Sequence, residues 1–195
     1  MIANARVIAL AETAAGAVVR LDIVEAACWL HDIVQFPKGS GPAGEAARHS
    51  AAESRRLLEM VGAKQEEIER VAHAIEAHSY SGGVKPCTLE AAIVQDADRL
   101  DALGAVGLAR LWVTAAELNS VLYDDVDPAA MTRPLDDLAF GLDHIQAKLL
   151  TLPGTMNTRS GRDEAERRAS YVAAYRAEFL SELGGLARES LAPSP

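Results

Sequence analysis

His31 and Asp32 stand side by side at the end of an apolar stretch, Ile23 to Leu30. An imidazole and a carboxylate are costly to bury, and together they offer lone pairs and compensating charge to one divalent cation. A second cluster, Asp96-Ala97-Asp98-Arg99-Leu100-Asp101, also follows an apolar run, Ala91 to Val94. Neighbours on a helix point about 100° apart, so His31 and Asp32 can share an ion only where a helix end abuts the site. Asp96 and Asp98 point about 200° apart on a helix, whereas Asp98 and Asp101 share a face. Taken singly, these residues also fit plainer roles. His31 could be a hydrogen-bonded interior histidine, Asp101 the partner of a nearby arginine and Asp96 a solvated carboxylate. Arg99 could be a surface ion-pair partner or a phosphate contact.

The elements that must position them read as helices. Ala, Leu, Glu and Arg are abundant, and only 5% of the residues are aromatic, a composition that loses least entropy in helices. The pattern predicts a first helix from near Met1 to Ala15, stopped by Gly16. A second, with Asp22 as N-cap, carries Ile23, Ala26, Ala27, Leu30 and Val34 as far as Phe36-Pro37 and places the doublet in its last turn. Pro37 to Pro42 reads as a mobile loop beside that end. A third helix, Glu45 to Val61, turns Leu57, Leu58 and Val61 inward, and a fourth, Lys64 to Ser79, buries Ile68, Val71, Ala72 and Ile75. Thr88 caps a fifth, which carries the acidic cluster and continues to Leu111 with a bend near Gly104 or Gly107. Tyr123 to Asp136 reads as a long loop or lid. Helices resume over Asp137–Leu150 and Gly161–Leu183, and Ala192 to Pro195 fray.

A chain of 195 residues can bury one substantial core, so the expectation is a single compact all-α bundle spanning 1–195. The formal net charge of −9 excludes a broad nucleic-acid or anionic-membrane surface. A small anionic substrate held by a local cation remains compatible. Cys28 and Cys87 form no metal-binding or disulfide pattern, no signal peptide or membrane span is read, and a cytoplasmic location is expected.

Three segments together resemble the HD-domain superfamily of metal-dependent phosphohydrolases: Leu30 to Val34, Val71 to Ser79 and Gln95 to Gly104. Asp143-His144, Met156-Asn157-Thr158 and Gly161-Arg162 resemble the small bacterial branch that includes nucleotide pyrophosphohydrolases. The resemblance implies an all-α bundle holding a divalent ion, Mn, Fe, Co, Ni or Mg. Its ligands would be His31, Asp32 and Asp98, with Asp96 the second choice to Asp98. It makes His49 and His78, rather than His73 and His144, candidates for holding substrate phosphate or a second cation. Lys38 and Arg48 would add positive charge at the rim, and Asn157 and Arg162 would brace the C-terminal helix. The family's first histidine, on the first helix, aligns before Met1, and all five histidines lie at position 31 or later. The expected activity is hydrolysis of a nucleotide or related phosphate ester, including release of pyrophosphate from nucleoside triphosphates. The alternative is a bundle that binds a nucleotide or a protein partner without turnover.

Overall fold

A computed structural model describes residues 1–36, 44–79 and 82–189, with side chains as far as 184. The predicted loop at Pro37–Pro42, with Lys38, and the tail at 192–195 lie outside the described residues. The chain divides into two compact units, residues 1–101 with 156–163, and residues 102–155 with 164 onward. Among the described residues the regular secondary structure is helical, apart from one isolated bridge between Val121 and Phe140.

The first unit is built on α1 (Ile2–Ala14), α2 (Leu21–Leu30), α3 (Glu45–Met60), α4 (Gln65–His78) and α5 (Leu89–Asp101). In it α3 packs on α4, α4 on α5, α1 on α5 and α2 on α4. The predicted stripe of α4, Ile68, Val71, Ala72 and Ile75, is buried. On α3 the expectation is corrected: Val61 is exposed, Leu57 and Leu58 are half-buried, and Ala47, Ser50, Ala51 and Ser54 face inward. Small residues on that face let two helix backbones approach closely, and Ser54 satisfies its hydroxyl on the Ala51 carbonyl at 2.7 Å.

Two departures affect the site. α2 starts before Asp22, because Asp22 binds the Arg20 guanidinium at 2.9 and 2.6 Å and the Arg20 N–H donates to Glu90 Oε1. It ends at Leu30, so His31-Asp32 sits in the turn just beyond the helix and not in its last turn. Ser50 Oγ meets both the N–H and the carbonyl of Val34, at 3.1 and 3.3 Å, and so draws the chain off the helical path. The fifth helix is capped as predicted, with Thr88 Oγ1 accepting from the Ala91 N–H, but it stops at Asp101.

The second unit contains α6 (Gly104–Glu117), α7 (Gly141–Ala147), a 3-10 helix (Leu149–Thr155) and most of α8 (Arg159–Glu189). The bend expected near Gly104 is a full break, at which Gly104 takes φ +77°. The helix predicted over Asp137–Leu150 is shorter, because Arg133 clamps Asp143 at 2.5 and 3.0 Å and the Asp136 N–H also donates to that carboxylate. Among the described residues, no helix is long and apolar enough to cross a membrane.

Candidate metal centre

The end of α2 and the end of α4 bring His31, Asp32 and His78 together, each with a ligand atom within 4.8 Å of the others'. His31 Nε2 lies 3.3 Å from Asp32 Oδ2, and His78 Nε2 lies 3.8 Å from Asp32 Oδ1. The two rings meet edge to face, with centroids 5.0 Å apart. Each ring spans three residues back to a carbonyl of its own helix: His31 Nδ1 to Cys28 O at 2.8 Å, and His78 Nδ1 to Ile75 O at 2.5 Å. A carbonyl only accepts, so each Nδ1 carries a proton, and Nε2 is the ring atom turned toward Asp32, the one whose lone pair is available to a ligand. Lone pairs facing a carboxylate repel unless a proton or a cation stands among them. The donor set therefore fits a divalent cation, with the second ring nitrogen of each histidine fixed in the way metal-bound imidazoles require.

The charges agree with that fit. Burial works against a charged His31, but the Asp32 contact, the Cys28 carbonyl and Asp98 outweigh it and raise its pKa. Asp98, half-buried on α5, has its carboxyl pushed up by burial; His78 and His31 oppose the shift, whereas Asp32 and Asp101 add to it. Among the described residues it is His78, not the expected Asp98, that converges with His31 and Asp32; Asp98 is coupled to them through charge alone, and a cation there would relieve the repulsion among these carboxylates.

The second-choice ligand, Asp96, has another task. It is fully buried rather than solvated. It accepts from the Asn157 N–H and side-chain amide, at 2.9 and 2.8 Å, and from the Thr158 N–H and hydroxyl, at 2.8 and 2.7 Å. Asp101 accepts from the Met1 nitrogen and from Asn4 Nδ2, both at 2.7 Å. His49 is exposed on α3, 3.8 Å from Glu45 and in edge contact with Phe36. His73 Nε2 accepts the Cys87 N–H at 2.9 Å. His144 lies in the second unit, 3.7 Å from Asp137, and burial followed by Lys148 lowers its pKa. Arg162 donates to the Met156 carbonyl at 3.0 Å, in the segment that leads into its own helix.

Sequence reasoning missed the work of Gln95 and Thr158. The available signal was Thr158 three residues before Gly161: Thr158 Oγ1 accepts the Gly161 N–H at 3.0 Å as the N-cap of α8. A Cβ on Gly161 would stand 2.6 Å from both Asp96 Oδ2 and Thr158 Oγ1, so this close approach requires glycine.

Comparison with known proteins gives a consistent picture. Residues 4–103 match the model of the HD domain family. The uncharacterized protein YpgQ of Bacillus subtilis is 32% identical over 174 residues, which span 87% of this chain and 77% of the relative. The crystal structure of B. subtilis YpgQ in complex with ADP has a TM-score of 0.67 at 29% identity, covering 93% of this chain and 86% of that one. The structure of an HD-superfamily hydrolase from Bacillus thuringiensis has a TM-score of 0.66 at 30% identity, covering 94% and 84%.

Proposed function

The chain belongs to the HD domain family, and from that premise we propose that it is a metal-dependent phosphohydrolase acting on a nucleotide or a related phosphate ester. The observation that carries the reading is the convergence of His31, Asp32 and His78 with both Nδ1 atoms already committed to carbonyls. These three residues would hold the cation, with Asp98, coupled to them through charge, as a fourth candidate ligand. A mixed imidazole and carboxylate set suits Mn²⁺, Fe²⁺, Co²⁺ or Ni²⁺, and Mg²⁺ where water completes the shell. The chemistry that such an ion supplies when bound is polarisation of a phosphoryl oxygen and acidification of a water toward neutrality.

The remaining work belongs to the side chains. His31 and His78 keep their Nε2 atoms turned to Asp32 because each ring is tethered through Nδ1. Asp32 is half exposed and forms the solvent side of the group, where substrate would enter. Asp98, whose carboxyl burial pushes up, would ionise fully once a cation offsets that burial. His49 belongs to the same end of the unit: its neighbour Ser50 holds Val34, two residues past the doublet, and its own ring meets Phe36. We assign it the phosphate contact at the rim.

A nucleotide substrate is supported by the relative YpgQ, whose structure was solved with ADP. Cleavage of a nucleoside triphosphate to release pyrophosphate follows from the resemblance of the C-terminal segment to the pyrophosphohydrolase branch. The test is a nucleotide panel with Mn²⁺, Co²⁺ or Mg²⁺, read as phosphate with and without added pyrophosphatase. The expected result is phosphate that appears only with pyrophosphatase and only with metal, and that falls by at least a hundredfold in His31→Ala. Release of no phosphate from any nucleotide by the metal-loaded chain would overturn the proposal in favour of binding without turnover.

A further inference from the structure

His78 is held by its own helix end, and the last turn of a helix leaves carbonyls without intrahelical partners. α4 stops at His78, and Ser79 turns away in extended conformation with ψ 121°. Two of the carbonyls stranded there are nevertheless satisfied. The Ile75 carbonyl takes His78 Nδ1, and the Ala77 carbonyl takes Gln95 Nε2 from α5. Gln95 is buried, and its other amide atom, Oε1, accepts Asn157 Nδ2 at 2.8 Å. The same Asn157 amide nitrogen donates to Asp96 Oδ1 at 2.8 Å, so the orientation of both amides is determined: Asn157 must donate, Gln95 must accept from it, and the Gln95 nitrogen must face Ala77.

We infer that Gln95 and Asn157 are positioning residues for the metal-ligating His78, with the Asn157 amide orienting Gln95 and Gln95 fixing the end of α4 through the Ala77 carbonyl. The inference rests on the proposed function and adds to it a control of the site exerted from the residues that precede α8. Neither amide belongs to the His31, Asp32 and His78 group; each acts through the backbone next to His78. Loss of the Asn157 amide frees Gln95 to rotate, and loss of the Gln95 donor leaves a buried carbonyl unpaired beside the ligand. Supporting partners of metal ligands typically govern affinity by roughly ten- to a hundredfold.

The experiment is a Co²⁺ titration of the full chain, followed by visible absorption, in wild type, Asn157→Ala, Gln95→Met and Thr158→Ala. Thr158→Ala serves as the control, because it removes a hydrogen bond to Asp96 and leaves Gln95 untouched. The expected result is Co²⁺ affinity at least tenfold weaker, with an altered absorption band, in Asn157→Ala and Gln95→Met. Thr158→Ala should keep the wild-type affinity and band even where its melting temperature falls further. Equal affinities in all four chains, or losses that simply follow melting temperature, would overturn the positioning role while leaving the proposed function standing. If Asn157→Ala does not fold, Gln95→Met carries the comparison, and failure of both to fold beside a folded Thr158→Ala would assign the amides to folding and overturn the inference. A wild-type chain that takes up no Co²⁺ would instead remove the proposed function, and this role with it.

Discussion

A neutral imidazole has one donor and one acceptor nitrogen, and the Cys28 and Ile75 carbonyls decide which is which in His31 and His78. The local environment treats the two cysteines as sharply as it treats the histidines. Cys28 is buried, and its thiol is pushed up to about 12, chiefly by burial, with Asp98, Glu25 and Asp101 adding to the shift against the Met1 ammonium. Cys87 is exposed. Because the thiolate is the reacting form, a thiol reagent at pH 8 should label one cysteine per native chain, Cys87, and the second only after denaturation; mass mapping of label on Cys28 in the native chain would contradict this. At this scale the doublet was legible because its two polar residues interrupt an apolar run. Asp96 was not, because an aspartate that accepts backbone N–H groups from residues 61 and 62 positions away leaves no local signature in the sequence.

Among the elements, α8 shows a charge arrangement that pH can test. Glu164 accepts from Arg167 and Arg168 at 2.7 Å, and these hydrogen bonds lower its carboxyl to about 2 against burial that opposes them. A depressed carboxyl contributes stability above its unfolded value, near 4.5, and that contribution disappears as pH falls toward about 2. Pairs of this exposure are worth roughly 0.5–1 kcal/mol. Thermal melts should therefore show Glu164→Gln below wild type by about 1–4 °C at pH 6, with the gap closing between pH 4.5 and 2; a gap that persists at pH 2 would contradict the assignment. Element by element, the buried stripe of α4 and the Thr88 cap were legible from spacing and chemistry. The end of α2 was not, because Ser50, sixteen residues from Val34, terminates it. The inward face of α3 was also hidden, since hydrophobicity points to Leu57, Leu58 and Val61 while close helix packing selects Ala47, Ser50, Ala51 and Ser54.

For the molecule as a whole, a formal net charge of −9 provides no general field to draw in a phosphorylated substrate. Attraction has to be local, and a divalent cation on His31, Asp32 and His78 would supply it where carboxylates already crowd together. The all-α class was legible from composition and periodicity, whereas the meeting of residues 31 and 78 depends on how α2 packs against α4, which no local pattern encodes. Cation binding at this group is tested by equilibrium dialysis of the full chain against Mn²⁺, with metal analysis, for wild type beside His31→Ala and Asp32→Asn, and with circular dichroism confirming helix content. One ion per wild-type chain is expected, lost in both variants while the helices remain. Equal Mn²⁺ in wild type and both folded variants, or none in wild type, would contradict it.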